Sequence, residues 1–364
     1  MANELTYILG AGASYQSFPL VKTFSKRYKE FISFLNKTGI KDRMALHHAH
    51  FSAFSDNLES HQSFDTYFKK LFHTNDYHQI KKTKKILHLY FIWEHLVPPY
   101  TNNESRDTFI EESDINGFRK QSRIDKRYDA LIAGILKPRL GKASVYTKTN
   151  FISWNYDLNL LSSIKNFFYP KESYESFIKC IQKNNSIWEI DEQITIINLN
   201  GYFYSKKFNS CTHLLNISAK DIIEQKIEEG FLIENMLDDD SELIRFAWEA
   251  VSESERDMQK QVIDVVKNKI ANSDNIVVIG YSFPLYNRIV DYQYFNPLLL
   301  NGKAVYIQDI NAQNFDDILR NDFRLDDSME ILNTPYTRMV LQANCDNFII
   351  PSSIFKYTDS VDDL

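Results

Sequence analysis

Five short runs of apolar residues stand out along the chain, and a polar or small residue follows each of them. The runs are rich in β-branched side chains and nearly continuous, as is typical of strands that are covered on both faces of a parallel sheet. Their sequences are LTYILG (5–10), NFISWNYD (150–157), ITIINLN (194–200), NIVVIG (275–280) and AVYIQDI (304–310). We therefore predict an α/β protein with a Rossmann-like parallel sheet.

The long segment 21–149, between the first two predicted strands, has no comparable run. Aromatic and aliphatic residues recur there at helical spacing, and ILHLYFIWEHLV (86–97) is a second apolar helix candidate. Residues 101–129 are polar and highly charged, which favours an exposed loop. We therefore predict a large helical insertion at 21–149, after the first strand, beside a Rossmann-like domain made of residues 1–20 and 150–364.

Composition and charge limit the classes of partner. The chain has 364 residues, 43% of them hydrophobic, and a net charge of −6. Nucleic acid is not an expected partner, since phosphate backbones require a basic surface. The N-terminus has no basic region followed by an apolar core, and no run reaches the length of a membrane span. We expect a cytoplasmic protein that does not insert into membranes.

Cysteine and histidine give no reason to expect a metal. The three cysteines are far apart, and no two of them have the CxxC spacing of a zinc ribbon. His47, His48 and His50 are close in sequence, but the adjacent pair faces apart on a helix and has no evident carboxylate or thiol partner. No metal cofactor is predicted.

A glycine turn follows the first predicted strand. Gly10 and Gly12 allow a sharp turn and leave out the Cβ atoms that would block a phosphate oxygen. Ser14 can cap the next helix or bond a phosphate. The dehydrogenase fingerprint GxGxxG is not matched, because Tyr15 stands where the third glycine is required. A phosphate site and a purely structural tight turn both stay open at this point.

The other predicted strands end in residues suited to ribose and base. Asn155 and Asp157 end the second strand, and an amide with a carboxylate suits ribose hydroxyls, although both residues can instead cap the following helix. The remaining strand ends carry Asn200 and Gly201, Gly280 and Ser282, and Asp309 and Asn311. Asp309 and Asn311 can reach an adenosine ribose or base. Ligands of open α/β sheets bind at the carboxyl ends of strands, so these residues are predicted to share one site.

In the order GAGAS, FPL, NYD, NG, GYS and IN, these motifs resemble the sirtuin-like (silent information regulator) family over residues 5–20 and 150–312. In that family a GAG-x-S loop holds the phosphates of NAD, an Asn-containing motif approaches the nicotinamide ribose, and a G-[TY]-S loop also contacts NAD. The resemblance assigns the phosphates to Gly10, Ala11, Gly12 and Ser14, the ribose to Asn155 and Asp157, the later loop to Gly280 and Ser282, and the adenosine side to Asn311.

Two departures refine what the resemblance implies. The four zinc-binding cysteines of sirtuin deacylases are absent from the sequence, so the match is closer to the zinc-free sirtuin-like domains of bacterial antiphage defence, which hydrolyse NAD. The catalytic histidine of the family's HG motif corresponds to Asn200, and an amide is no general base near neutral pH. The implied protein is an NAD+ glycohydrolase that depletes NAD, uses no metal, and is activated by a defence partner protein or by assembly into an oligomer.

Hydrolysis without that histidine is chemically feasible. Nicotinamide leaves as a neutral ring, so the site has mainly to bind NAD and stabilise a positive ribose, with charge from Asp157 and orientation from Asn155. General-base help is worth about 10²–10⁴-fold, so its loss predicts a slow enzyme. His213 is the nearest replacement base in sequence, although an ordinary loop histidine is the simpler interpretation. Two alternatives stay open: a catalytically silent subunit that binds NAD or ADP-ribose, and a zinc-independent deacylase.

Overall fold

The computed structural model describes residues 4–37, 45–96, 125–138, 143–172, 176–177, 187–200, 244, 246, 249, 253–295, 303–312 and 338–355. Within these residues the strands are β1 (Glu4–Leu9), β2 (Thr149–Ser153), β3 (Ile187–Ile190), β4 (Ile194–Asn198), β5 (Ser273–Ile279), β6 (Ala304–Gln308) and β7 (Arg338–Gln342). They form one sheet in the order β3-β4-β2-β1-β5-β6-β7. Neighbouring strands are parallel except for the pair β3 and β4, which is antiparallel.

The order of the parallel strands is that of a Rossmann fold. Without the antiparallel edge strand β3, the parallel strands counted along the chain lie in the order 3-2-1-4-5-6. This is the order of Rossmann folds. The predicted α/β fold with a Rossmann-like parallel sheet is therefore confirmed. All five predicted runs contain a strand, but β2 ends at Ser153, so residues 154–157 lie beyond it.

Eight α-helices of the described residues flank the sheet. They are α1 (Val21–Lys37), α2 (Ala45–Ser60), α3 (Phe64–His73), α4 (Tyr77–Leu96), α5 (Lys126–Ile135), α6 (Asn159–Phe168), α7 (Glu253–Ala271) and α8 (Arg288–Phe295). The first five lie between β1 and β2, within segment 21–149. That this segment is an insertion separate from the Rossmann-like part stays a prediction. The predicted loop at 101–129 is wrong for residues 126–129, which begin α5 after the N-cap Asp125, and residues 101–124 lie outside the described residues.

One face of the sheet packs against the helices that follow β1. Tyr7 of β1 and Phe151 of β2 stack with ring centroids 5.2 Å apart, and they share a buried cluster with Phe24 and Tyr28 of α1. The Phe24 ring in turn meets Tyr90 of α4 edge-on, with centroids 4.8 Å apart. Aromatic pairs of this geometry stabilise beyond their buried area. The aromatic side chains of this segment thus pack its helices onto the sheet.

The opposite face of the sheet is covered by α7. Ile8, Ile152 and Val278 point to this side and form a second buried cluster with Val262 and Val266 of α7. Successive side chains of a strand point to opposite faces, so strands buried on both faces are apolar at almost every position. This is why the strand runs in the sequence are continuous rather than alternating.

The order of the strands reverses between β1 and β5. The strands that follow β1 along the chain, β2 and β4, lie on one side of it, whereas β5 and β6 lie on the other. In open α/β sheets, ligands bind in the crevice outside the carboxyl ends of the strands at such a reversal. In this fold, the segments that follow Leu9 and Ile279 are therefore where a ligand is expected to bind.

Candidate functional site

The five predicted strand ends lie side by side along one edge of the sheet. β4, β2, β1, β5 and β6 are consecutive neighbours and run parallel to one another. Their carboxyl ends carry, in this order, Asn200, Asn155 with Asp157, Gly10 to Ser14, Gly280 with Ser282, and Asp309 with Asn311. The structure therefore brings the predicted residues to one edge, while their roles toward NAD stay predictions.

The glycine turns after β1 and β5 pack directly against each other. Gly10 N donates to Ile279 O at 3.0 Å, and Gly12 N donates to Gly280 O at 2.9 Å. A Cβ atom on Gly12 would lie 2.7 Å from the Cα of Gly280, and Gly280 has a φ of +57°. Close packing of two turns therefore accounts for these glycines, and it joins the turns at the point where the strand order reverses.

Replacing Gly280 with alanine is expected to destabilise the fold by about 2–4 kcal/mol, because strain and overpacking add. The new Cβ would lie 2.3 Å from the backbone nitrogen of Ala13, at a positive φ. Urea denaturation measures the loss. Gly134→Ala is the matched control, since its Cβ would meet only the flexible end of the Ile350 side chain. Equal losses for the two variants would contradict the role of close turn packing.

Ser14 lies in a hydrogen-bonded cluster rather than at a helix cap. Its buried Oγ is 3.0 Å from the Tyr128 hydroxyl and accepts a hydrogen bond from Asn155 Nδ2 at 3.2 Å. A short 3₁₀ turn (Ala11–Ser14) follows β1, and α1 begins only at Val21. Of the two roles predicted for Ser14, capping of the next α-helix is wrong, because that helix begins only at Val21, and phosphate binding stays a prediction. Ser14 instead links the glycine turn to the segment after β2.

Asn155 and Asp157 have different local partners. Asn155 is buried, and its backbone N–H donates to Ser153 Oγ at 3.0 Å while its side chain reaches Ser14. Asp157 Oδ1 accepts hydrogen bonds from the backbone and side-chain nitrogens of Asn159, at 2.9 and 2.7 Å. The helix-capping alternative therefore holds in part for Asp157, which satisfies the first N–H of α6, and not for Asn155.

Asp157 is half-buried at the carboxyl edge of the sheet. Burial raises its pKa above the ordinary value for aspartate, and hydrogen bonds from Ser14 and Asn159 oppose that shift. Asp125, at the start of α5, raises the pKa further through charge repulsion. An ionised carboxylate held in a low-dielectric pocket can stabilise a positive charge that develops on a bound molecule.

Asn200 connects the ends of β4 and β2. Its side chain is buried, and Nδ2 donates to the backbone oxygen of Trp154 at 3.0 Å. The Trp154 ring stacks on Tyr281 with centroids 5.2 Å apart and planes 8° apart. Asn200 is thus hydrogen-bonded to the residue that precedes Asn155, at the carboxyl edge of the sheet.

The residues after β5 and β6 present a more open surface. Ser282 and Asn311 are exposed, as is Ala11 in the glycine turn. Asp309 Oδ1 accepts a hydrogen bond from Asn311 N at 2.8 Å, which closes a tight turn after β6. Burial raises the pKa of the Asp309 carboxyl, although the bond from Asn311 opposes the shift. This part of the edge offers side chains to a ligand rather than a closed pocket.

Sequence reasoning missed a buried arginine behind the glycine turn. The Arg127 guanidinium pairs with Asp125 and donates to the backbone oxygens of Ala13 and Cys345, at 2.8 and 3.0 Å. Its charged carbon lies 4.3 Å from the centre of the Tyr15 ring. Arg127 therefore ties α5 to the turn that carries Ser14.

No protein-family model and no curated protein matches the chain. Among the described side chains, no three His, Cys, Asp or Glu residues form a group that could hold a metal ion. In the part of the chain that the structure covers, no helix is both long and apolar enough to cross a membrane. Gly201 and His213 lie outside the described residues.

Proposed function

We propose that the chain is an NAD+ glycohydrolase, which converts NAD to nicotinamide and ADP-ribose. The observation that carries the proposal is the hydrogen bond between Asn155 and Ser14, because it joins the glycine turn to the segment assigned to the ribose. The Rossmann strand order and the position of both glycine turns at its reversal support a dinucleotide ligand.

The proposed reaction needs few groups. The turn from Gly10 to Ser14 binds the phosphates, and Asn155 orients the nicotinamide ribose or the attacking water. The bond between ribose C1′ and the nicotinamide nitrogen breaks, and its electron pair leaves with the neutral ring. Asp157 stabilises the positive ribose, water adds to C1′, and a proton is released to solvent. Asn200, an amide, holds the end of β4 and accepts no proton.

The proposed biological role follows from the resemblance to zinc-free sirtuin-like domains. The protein would act in the cytoplasm as an effector of bacterial antiphage defence that depletes NAD. Uncontrolled hydrolysis of NAD is toxic, so we propose that a defence partner protein or assembly into an oligomer activates it.

A second candidate function is favoured by Asn200. An amide stands where a general base is required, and its nitrogen is used by the backbone oxygen of Trp154. A protein with this site can bind NAD or ADP-ribose as a regulatory subunit of a defence complex without turning it over. The two functions differ in whether nicotinamide is released.

Replacing Asn155 with alanine is expected to reduce nicotinamide release by about 10²–10³-fold, as for the loss of one oriented polar group at a reacting centre. The purified chain is incubated with NAD, alone and with any partner encoded beside it, and nicotinamide and ADP-ribose are quantified by chromatography. The matched control is Asn150→Ala, a buried asparagine at the opposite end of β2 that hydrogen-bonds Glu4 and Thr6. Equal rates in wild type and Asn155→Ala would contradict the assigned role.

A further inference from the structure

Asn198, the last residue of β4, has a buried donor that the proposed mechanism does not use. The residue is 7% exposed, and its Nδ2 has no acceptor among the described residues. Its neighbours along the edge differ, since Asn155 Nδ2 donates to Ser14 and Asn200 Nδ2 donates to Trp154 O. A buried amide that donates no hydrogen bond is costly, so it points to a missing acceptor.

Asn198 lines a small cavity between the ends of β2 and β4, whose wall is about half polar and half apolar. Ser153, Asn155, Asp157 and Tyr128 line the same cavity, which has room for about one water molecule. These side chains supply acceptor oxygens, whereas Asn198 supplies the unused donor. A buried water typically makes two to four hydrogen bonds to groups that lack other partners.

We propose that this cavity holds one ordered water molecule between Asn198 Nδ2 and the Asp157 carboxylate, which makes Asn198 a positioning residue for Asp157. The water accepts a hydrogen bond from Asn198 and donates to Asp157 and to Ser153 Oγ. It thereby satisfies the buried amide and fixes the carboxylate that is assigned to the ribose in the proposed reaction. The effect on catalysis rests on the proposed NAD hydrolysis, whereas the water site does not.

The groups around Asp157 determine how the water changes the pKa of its carboxyl. Asp125 acts on it from the start of α5 and is paired with Arg127, and Tyr128 lines the same cavity. A hydrogen bond donated to a carboxylate favours its charged form. The water therefore lowers the pKa of Asp157 against the effect of burial, and its loss raises that pKa.

Replacing Asn198 with leucine, which is similar in size and has no donor, tests the water bridge. We expect the Asp157 pKa to rise by about one unit, measured by ¹³C NMR of aspartate-labelled protein with Asp157→Asn to assign the signal. Asn275→Leu is the matched control, because this buried asparagine lies near the amino end of β5, and it should leave the pKa unchanged. Asn198→Ser keeps a donor and should shift the pKa less than leucine does.

A crystal structure of the unmodified protein gives an independent result. Density for a water within hydrogen-bond distance of Asn198 Nδ2 and Asp157 supports the proposal. A direct bond from Asn198 to Asp157, or no water in the cavity, overturns it. An Asn198→Leu variant with a higher Tm and an unchanged Asp157 pKa also overturns it, because the amide was then simply a dry, unsatisfied group.

The dependence of activity on pH separates the water site from the proposed function. If Asp157 must be ionised for hydrolysis, the acid limb of the pH–rate profile of Asn198→Leu moves to higher pH by the same one unit. At a fixed pH on that limb, the rate of nicotinamide release is then about tenfold lower than in the wild type. If the wild type releases no nicotinamide under any condition, the proposed function fails. The NMR and crystallographic results still decide the water site in that case.

Discussion

Replacing Asn200 with histidine is expected to raise the rate of NAD hydrolysis by about 10²–10⁴-fold, the usual contribution of a general base. Asn200 is buried at the end of β4, and its Nδ2 donates to Trp154 O at 3.0 Å. The Nδ1–H of a histidine ring can take over this hydrogen bond, which fixes the tautomer and leaves Nε2 to accept a proton. Nicotinamide release near pH 7 measures the gain.

The control for this variant keeps the amide. Asn200→Gln retains a donor for Trp154 O without adding a base, so its rate should stay at or below that of the wild type. Asn200→His combined with Asn155→Ala should lose the gain, since the base then acts on a poorly oriented water. If Asn200→His binds NAD tightly and still releases no nicotinamide, the protein is a binding subunit and the hydrolase proposal is wrong.

The fold was predictable from the sequence because burial on both faces leaves an unambiguous pattern. β1, β2, β4 and β5 are buried at nearly every position, and each carries adjacent apolar residues that point to opposite faces of the sheet. The end of a strand is less well determined. NFISWNYD has large aromatic residues at Trp154 and Tyr156, yet β2 ends at Ser153, and both aromatic side chains are buried beyond the end of the strand.

The two missed strands lie at the edges, where the pattern is weaker. β3 has only four residues and carries Glu189 in its interior, because an edge strand can expose one face. It joins β4 through the three residues 191–193, of which Asp191 and Glu192 have positive φ. Aspartate is common at positive φ in hairpin turns, whereas glutamate is not. A hairpin without Asn-Gly or Asp-Gly gives the sequence no recognisable turn.

Site residues that follow a strand could be predicted from the sequence, whereas site residues that lie on a helix could not. The strand rule placed Ser14, Asn155 and Asp157 on one edge, but it says nothing about Tyr128 or Arg127. Those two residues lie in the first turn of α5, which follows a charged stretch of sequence. The only features of the sequence that indicate a helix there are Asp125 as a possible N-cap and the helical spacing of apolar residues after it. Their contacts with Ser14 and Ala13 span the chain, so no local pattern contains them.

Replacing Arg127 with methionine is expected to destabilise the protein by about 3–5 kcal/mol, the cost of breaking a buried ion pair from one side. Both side chains of the pair are nearly fully buried, so Asp125 would keep its charge without a partner. Two backbone oxygens, of Ala13 and Cys345, would also lose their donor. Chemical denaturation measures the loss, and nicotinamide release should fall with it because Ala13 precedes Ser14.

Two further variants identify the cause of that loss. Lys29→Met removes the cation of an exposed pair with Glu59, whose side chains are 55% and 53% exposed, and should cost no more than about 1 kcal/mol. Asp125→Asn added to Arg127→Met should recover part of the stability, because an amide oxygen can still accept from the backbone N–H of residue 127 and needs no counter-charge. If Arg127→Met costs no more than Lys29→Met, the guanidinium does not hold α5 to the glycine turn, and Ser14 must be positioned by its contacts with Asn155 and Tyr128 alone.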